Sequence, residues 1–253
     1  MADGLFSRKN RKFFTFIWKS SFLLFFLGMS LSACGDLNVN LSCVGQNVSC
    51  RTPSPTPNRP AIVAAAAAIT KSQPLVSDPL SKEDNNRWGT HPGDQTGCSF
   101  HDGSYFVMDA LTPAATYGCD SNTLHYGDAA IQMDVTLISG DTAGIIFRVD
   151  PTFSEMYVFD ITNQREADLR MFGKNGTTNI LIPATANSAI HGVGEKNTLL
   201  VIARGDDFQL LVNGTFVGEA HDSTLTTGYV GMSVSDYSEN AKASFSNLMI
   251  YQV

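Results

Sequence analysis

The sequence predicts an all-β fold, a two-sheet antiparallel β-sandwich or jelly roll, from about residue 86 to residue 253. Apolar and polar residues alternate with period two in many short segments of this region, which is typical of half-buried strands. The Asn-Gly dipeptides at 175–176 and 213–214 stand between alternating segments, and Asn-Gly is the strongest short hairpin signal. No amphipathic helix of three turns is recognisable there. Roughly ten or more strands, spaced about 8–12 residues apart, favour a sandwich or a jelly roll.

The strands can be followed in order along the chain. A clear example covers 131–137, and the alternation continues over 145–149 after a turn at Gly140-Asp141. The later alternating segments are 156–161, 167–172, 177–182, 198–203, 208–212, 215–218, 229–234 and 243–251. Turn-forming residues such as Pro151 and Gly205-Asp206-Asp207 separate them.

Several short motifs along this region resemble those of a known family. They are Cys98-Ser99-Phe100 with Gly103-Ser104-Tyr105, Cys119, Gly144-Ile145-Ile146-Phe147-Arg148, Met156-Tyr157-Val158-Phe159-Asp160, Leu211-Val212-Asn213-Gly214 and Phe245-Ser246-Asn247-Leu248-Met249-Ile250-Tyr251. Together they resemble the concanavalin A-like, laminin G-like jelly rolls of bacterial surface proteins, including the group named for 3-keto-disaccharide hydrolases. The resemblance implies a sheet that is concave on its outer side and often holds a ligand there. Because the motifs are structural, they indicate the fold rather than an activity.

The N-terminus resembles the signal segment of bacterial lipoproteins. Five Lys/Arg residues precede a 13-residue segment, 21–33, that is mainly apolar and shorter than the roughly 20 residues of a spanning helix. Leu31-Ser32-Ala33-Cys34-Gly35 resembles a lipobox, which implies removal of residues 1–33 and acylation of Cys34. Several acyl chains would anchor the protein at a membrane surface, outside the cytoplasm. A signal-anchor helix that extends back through Phe13–Trp18 and includes Lys19 remains the alternative.

Residues 34–85 are predicted to form a tether between the lipid anchor and the sandwich. Proline alternates with small polar residues over 51–60, a composition that stays extended and solvated. Residues 61–69 could form a short helix, but an isolated helix of that length is marginal in water. The sequence therefore predicts a spacer that lifts the domain off the membrane.

Charge and cysteine content restrict the partners and the compartment. The formal net charge is −7, and loss of residues 1–33 would make it −11, which argues against nucleic acid as a partner.

Four cysteines remain besides Cys34, and by position they sort into Cys43 with Cys50 and Cys98 with Cys119. An even number in an exported chain favours disulfides, although four cysteines allow three pairings. Metal binding is the rival interpretation, but neither pair has zinc-type spacing.

The candidate ligand-binding residues are Arg148, Asp160, Asp168 and Arg170. If Phe147, Phe159 and Leu169 point into the core of a three-stranded meander, these four point outward on one face. Guanidinium groups beside carboxylates could bind sugar hydroxyls, and replacing both arginines by alanine is then expected to abolish glycan binding and spare the fold. Cross-strand charge pairing on a solvated sheet is the alternative explanation.

An enzyme on the same fold would need a placed pair of carboxyl groups. Glu166-Ala167-Asp168 resembles the start of the family-16-type glycosidase motif, but Leu169-Arg170-Met171 follows where that motif continues to another glutamate. No catalytic residue is assigned.

Calcium is the candidate cofactor, with Asp206, Asp207 and Asn213 as oxygen ligands, although turn residues give the same pattern without an ion. The five histidines show no spacing typical of a transition-metal site.

Trp88 could stack on a sugar, but packing over one end of the core is favoured.

These observations favour a lipid-anchored, non-catalytic binding module, with carbohydrate as the expected ligand. A glycoside-acting enzyme of the 3-keto-disaccharide hydrolase type is the first alternative. A structural or adhesive surface protein is the second.

Overall fold

The computed structural model describes residues 58–83, 87–93, 96–110, 115–236 and 240–253, and residues Pro55–Val253 group into one compact unit. The described residues contain one α-helix, α1 (Arg59–Thr70), and one 3-10 turn (Lys174–Gly176). Their fourteen strands are β1 (Val76–Asp78), β2 (Thr96–His101), β3 (Ser104–Asp109), β4 (Ala115–Tyr126), β5 (Ala129–Ser139), β6 (Thr142–Val149), β7 (Met156–Thr162), β8 (Glu166–Gly173), β9 (Thr177–Ala186), β10 (Lys196–Arg204), β11 (Asp207–Val212), β12 (Thr215–His221), β13 (Gly228–Asp236) and β14 (Ala241–Tyr251).

The strands form two antiparallel sheets, as the alternation predicts. The eight-stranded sheet has the order β12-β11-β10-β5-β14-β3-β2, with β1 also paired to β14. The six-stranded sheet has the order β4-β13-β6-β7-β8-β9. Both Asn-Gly dipeptides lie in hairpin connections, β8 to β9 and β11 to β12. The turn at Gly140-Asp141 instead carries the chain from one sheet to the other.

The core lies between the two sheets and explains the period-two pattern. In β7, Tyr157, Phe159 and Ile161 point into the main hydrophobic cluster, and in β8 Leu169 does the same. The inward side chains of β5, β10 and β11 meet them from the eight-stranded sheet. Burial of these apolar side chains is the main stabilising contribution to the sandwich.

The folded unit begins before residue 86, where the sequence places its boundary. Helix α1 is stable because it is packed: Ala66 lies against Leu200, Leu211 and Tyr251 on the outer face of the eight-stranded sheet. Asn58 caps the helix by accepting a hydrogen bond from the Ala61 amide at 3.3 Å. Residues 58–83 of the predicted tether are therefore attached to the sandwich through α1 and β1. A free spacer is not what the structure has in this part of the chain.

Trp88 packs into the core, which confirms the favoured interpretation of this residue. It is 1% exposed, and its ring centre lies 5.8 Å from that of Tyr105. Its indole nitrogen donates to Asp78 Oδ2 at 3.0 Å, and the same carboxylate pairs with Arg87 at 3.2 Å. Trp88 and Arg87 thereby fix strand β1 to the start of the predicted domain.

A disulfide joins Cys98 on β2 to Cys119 on β4, as predicted. It connects the edges of the two sheets, because β2 belongs to the eight-stranded sheet and β4 to the six-stranded sheet. Cys34, the predicted signal segment and the predicted Cys43–Cys50 pair lie outside the described residues. Within the described ranges, no helix has the length and apolar character that crossing a bilayer requires.

Replacing Cys98 and Cys119 together by serine is expected to lower the free energy of unfolding by about 3 kcal/mol, since the bond closes a loop with a sequence separation of 21. Urea unfolding of both proteins without reductant measures the difference. A Ser99→Ala variant, next to the bond, serves as the control. A loss below about 1 kcal/mol would show that the disulfide adds little to the paired edges.

Candidate functional site

The outer face of the six-stranded sheet, the face turned away from the core, carries three of the four predicted ligand-binding residues. Strands β6, β7 and β8 form the expected meander, and Phe159 and Leu169 point into the core. Asp160, Asp168 and Arg170 consequently point to the other side, with Asp160 directly opposite Asp168 in the register. These three residues lie on the outer face, as the alternation predicts, and their role in ligand binding stays a prediction.

These three side chains form an acid–arginine cluster. Nη2 of Arg170 donates to Oδ2 of Asp160, and Nε of Arg170 lies 3.2 Å from Oδ2 of Asp168. Asp160 also accepts from the hydroxyls of Thr142 at 3.1 Å and Ser233 at 3.3 Å. Within the described part of the chain, no hydrogen bond reaches Oδ1 of Asp168, although this atom is buried. Two carboxyl groups thus share one guanidinium in a poorly hydrated environment.

A glycine makes room for this arrangement. Gly144 on β6 stands beside Asp160 in the register, and a Cβ atom at Gly144 would lie 2.6 Å from Oδ1 of Asp160. The absent side chain lets the Asp160 carboxyl lie across β6 towards Ser233 on β13. The same Cβ atom would clash with the backbone oxygen of Phe159, so a larger residue at position 144 would also force β7 away from β6.

Burial and like charge shift the titration of the cluster. Burial and the charge of Asp160 raise the pKa of Asp168, Arg170 lowers it, and the net result is a pKa of about 7. Burial likewise raises the pKa of Asp160, against the lowering effect of Arg170 and the two hydroxyls. Asp168 can therefore gain or lose a proton near neutral pH, which an ordinary aspartate cannot do.

Replacing Asp168 by asparagine is expected to flatten the dependence of stability on pH. Between the ordinary pKa of about 4 and the folded value of about 7, the folded protein binds a proton that the unfolded chain has released. The free energy of unfolding of the wild type should fall by about 2 kcal/mol from pH 5 to pH 7.5, and this Asp168-dependent loss should be absent in Asp168→Asn.

Urea titrations of both proteins at the two pH values measure this effect. Glu219→Gln is the matched control, since Glu219 has an exposed side chain on β12 of the other sheet. Equal pH dependence in the wild type and Asp168→Asn would contradict the raised pKa of Asp168.

Arg148 lies away from this cluster, so its predicted place on the outer face is wrong. The register of β6 against β13 pairs Val149 with Tyr229 and Ile146 with Gly231, which leaves an extra residue on β6. At this β-bulge Arg148 has a φ of 50°, and its side chain turns to the core side, where its guanidinium carbon lies 5.1 Å from the ring centre of Phe208. The bulge interrupts the alternation on which the prediction depended.

The buried Arg148 side chain ties three loops together at one end of the sandwich. Its guanidinium donates to the carbonyl oxygens of Gly205 and Leu225, each at 2.8 Å, and of Gly127 at 3.3 Å. Nη2 also lies 3.6 Å from the Asp128 carboxylate. Arg148 is thus a structural residue at the loops after β4, β10 and β12.

The three calcium candidates do not form one site. Asp206 and Asp207 lie at the start of β11 and Asn213 directly follows its end, and the two ends of a six-residue strand are about 15–20 Å apart. Asp207 pairs with His221 at 2.8 Å, and the Asn213 amide group accepts from the Thr198 backbone at 2.8 Å. Across the described ranges, no group of three or more His, Cys, Asp or Glu side chains could hold a metal ion.

A cavity of about 310 Å³ lies at the β4 edge of the six-stranded sheet. This β4 pocket is lined by His91, Tyr117, Asp120, Asn122 and Phe153, together with Gly89, Gly118 and the Cys98–Cys119 disulfide. It combines a carboxylate, a phenol, an imidazole and an aromatic ring. Such a mixture of a few polar groups with apolar walls is typical of small-ligand sites.

Three parts of the fold build the β4 pocket. His91 is held by reciprocal backbone hydrogen bonds with Cys98, at 2.8 and 3.1 Å, so the disulfide fixes its position. Strand β4 supplies Asp120 on its outer side, opposite Gly231 of β13. The loop between β6 and β7 supplies Phe153, whose ring lies over Gly118, where an added Cβ atom would be 2.9 Å from Cζ.

The carboxylate of Asp150 shapes that loop. It accepts hydrogen bonds from the backbone amides of Thr152 at 3.0 Å and Glu155 at 2.6 Å. Against the raising effect of burial, the Thr152 hydroxyl and these amides hold the pKa of Asp150 well below its usual value. Phe153 takes a φ of 55° at the tip of the loop and is thereby directed over β4.

Asp120 supplies a carboxylate to the β4 pocket. Burial raises the pKa of Asp120, because water reaches the carboxylate only partly. Burial and the nearby Asp109 charge raise the pKa of Tyr117, so its phenol stays protonated and can donate a hydrogen bond. The pocket lining contains no Lys or Arg among the described residues.

Sequence reasoning did not find the β4 pocket. His91, Asp120 and Phe153 come from three distant segments, and none belongs to a recognisable motif. The predicted Cys98–Cys119 pair was the available signal, because Tyr117 and Asp120 flank Cys119 and the His91 backbone bonds to Cys98.

Solved structures with the same fold include carbohydrate-binding and carbohydrate-cleaving proteins. The carbohydrate-binding module CBM66 from Bacillus subtilis is 20% identical, with a TM-score of 0.56, covering 68% of this chain and 99% of that one. A β-glucanase from Bacillus licheniformis is 13% identical, with a TM-score of 0.54, covering 72% and 100%. A lichenase derived from a mouse hindgut metagenome is 12% identical, with a TM-score of 0.52, covering 70% and 99%. At these identities the likeness shows the fold alone.

Comparison with curated proteins gave no match. Residues 82–251, more than half of the chain, match the family model described as the 3-keto-alpha-glucoside-1,2-lyase-like domain. The sandwich described above is accordingly a member of the 3-keto-alpha-glucoside-1,2-lyase-like domain family.

Proposed function

We propose that this protein binds carbohydrate on the outer face of the six-stranded sheet, with one sugar residue in the β4 pocket. The observation that carries the proposal is the pocket itself, in which Asp120 and Tyr117 stand beside the Phe153 ring. Sugars are bound by such combinations, because hydroxyl groups hydrogen-bond to carboxylates and the ring faces pack on aromatic side chains.

Two further observations support this proposal. Several proteins that share the fold are named for binding or cleaving carbohydrate. On the same outer face, a row of small residues crosses the central strands next to the β4 pocket: Gly118, Ser233 and Gly144 stand side by side in the register. The Phe153 ring lies over Gly118 and the Asp160 carboxyl lies beside Gly144, so this row links the wall of the β4 pocket with the acid–arginine cluster on one face.

A glycan array with the full-length protein in detergent tests the proposal, followed by titration of the best ligand. Phe153→Ala should weaken binding by at least about tenfold, because a stacked ring contributes about 1 kcal/mol or more beside its buried area. The matched control is Phe216→Ala, a half-buried phenylalanine on β12 of the other sheet. Absence of any saccharide ligand, or equal binding by Phe153→Ala and wild type, would refute the proposal.

The same proposal places the binding domain outside the cytoplasm on a lipid anchor. Support comes from the apolar segment 21–33 and from the lipobox-like residues that end at Cys34. Mass spectrometry of the membrane fraction should find a chain that begins at an acylated Cys34, and Cys34→Ala should abolish this form. An intact, unmodified N-terminus in the wild type would contradict the anchor.

A glycoside-acting enzyme is the second candidate function, favoured by the acid–arginine cluster. The pKa of Asp168 near 7 suits a group that transfers protons at neutral pH. Product analysis with 3-keto-glucosides and ordinary disaccharides tests this candidate. If Asp168 carries the activity, Asp168→Asn should retain saccharide binding and lose turnover; turnover equal to that of the wild type would exclude this role.

A further inference from the structure

The half-buried carboxylate of Asp120 differs from four acids of the sandwich that have a cationic partner. Asp78 pairs with Arg87, Asp134 with Lys196, and the Asp160–Asp168 pair with Arg170. In the described part of the chain, by contrast, no Lys, Arg or His lies within ion-pair distance of Asp120. The β4 pocket therefore holds a half-buried carboxylate that no Lys, Arg or His of the described residues neutralises by an ion pair.

We infer that the β4 pocket selects a sugar residue that carries a free amino group over the corresponding neutral or acidic sugar. This inference rests on the proposed carbohydrate binding and names the ligand class of the same site. An ammonium group next to Asp120 would supply the missing positive charge and would donate a charge-assisted hydrogen bond, which is roughly twice as strong as a neutral one. A carboxylate on the sugar would meet the charges of Asp120 and the nearby Asp109.

The size and the other walls of the pocket agree with this ligand. At about 310 Å³ the cavity is at the lower end of the range of about 300–1,000 Å³ for ligand pockets, so it accepts a small group such as one sugar ring. The Tyr117 phenol, which stays protonated, can bind a ring hydroxyl beside the amine. The partial burial that raises the pKa of Asp120 also strengthens its attraction for an ammonium group.

Titration of the full-length protein with matched disaccharides tests the inference. The probes end in glucosamine, N-acetylglucosamine, glucose or glucuronic acid and are otherwise identical. The wild type should bind the glucosamine probe about fivefold to twentyfold more tightly than the glucose and N-acetylglucosamine probes, and the glucuronic acid probe most weakly. In Asp120→Asn this preference should shrink to about twofold or less, with binding of the glucose probe retained.

The controls separate the pocket from the overall negative charge of the chain. Asp207→Asn makes the same charge change on the other sheet and should keep the full preference. If that variant loses the preference, or if Asp120→Asn keeps it, general electrostatics selects the amine and the inference is overturned. Equal affinity of the wild type for the glucosamine and glucose probes would overturn the inference and leave the carbohydrate proposal intact. Failure of every saccharide on the glycan array would reject the carbohydrate proposal and this inference with it.

Discussion

Replacing Arg170 by methionine is expected to lower the free energy of unfolding by about 3–5 kcal/mol at pH 7.5. The guanidinium is the shared cation of Asp160 and Asp168. Its removal leaves Asp160 with only hydroxyl donors and Asp168 without its cation. Methionine keeps much of the volume of the side chain, so most of the loss is electrostatic. Urea unfolding of the variant and the wild type measures the difference.

The pH dependence of this loss distinguishes charge from packing. Without Arg170 the pKa values of both carboxyls rise further, so protonation at pH 5 should restore part of the lost stability. Arg204→Met, at an exposed position at the end of β10, should change the free energy of unfolding by less than about 0.5 kcal/mol. A loss in Arg170→Met that is the same at pH 5 and pH 7.5 would indicate a packing defect instead.

Replacing Arg148 by methionine is expected to cost a similar amount, about 3–5 kcal/mol, for a different reason. Three backbone carbonyls, those of Gly127, Gly205 and Leu225, lose their donor at a position where the Arg148 side chain is 1% exposed. Thermal and urea unfolding should both show the loss. Arg148→Lys should recover only a small part, because an ammonium group cannot reach three diverging carbonyls as a planar guanidinium does.

Ligand binding checks this structural role. Folded Arg148→Met protein, measured well below its melting temperature, should bind saccharide like the wild type, since Arg148 faces the core side and not the outer face. The sequence suggested instead that loss of Arg148 and Arg170 would abolish binding and spare the fold. Normal stability with lost binding in Arg148→Met would support the expectation from the sequence and contradict the structural role of Arg148.

The strands and their faces could be predicted because alternation needs only a local pattern. Phe159 and Leu169 point inward and Asp160 and Asp168 outward, as the period of two requires. The prediction fails at Arg148, where one extra residue in β6 reverses the facing of the side chains. A bulge depends on pairing with β13, about 80 residues further along the chain, and leaves no clear local signal.

The helix and the pocket were harder to predict for a related reason. An alanine-rich segment of this length is marginal alone, and α1 forms because Leu200 and Leu211 of distant strands offer it an apolar surface. The β4 pocket likewise exists only after His91, Asp120 and Phe153 have been brought together by the sandwich. Features made from long-range contacts cannot be recognised one segment at a time.

The position of the Cys98–Cys119 disulfide has a consequence for where the protein can work. The two sulfur-bearing residues are part of the wall of the β4 pocket, and the covalent bond keeps β2 and β4 together at this edge. In a thiol-rich environment the bond would open and the edges would be free to separate. The ligand binding proposed for this pocket would then require oxidising surroundings.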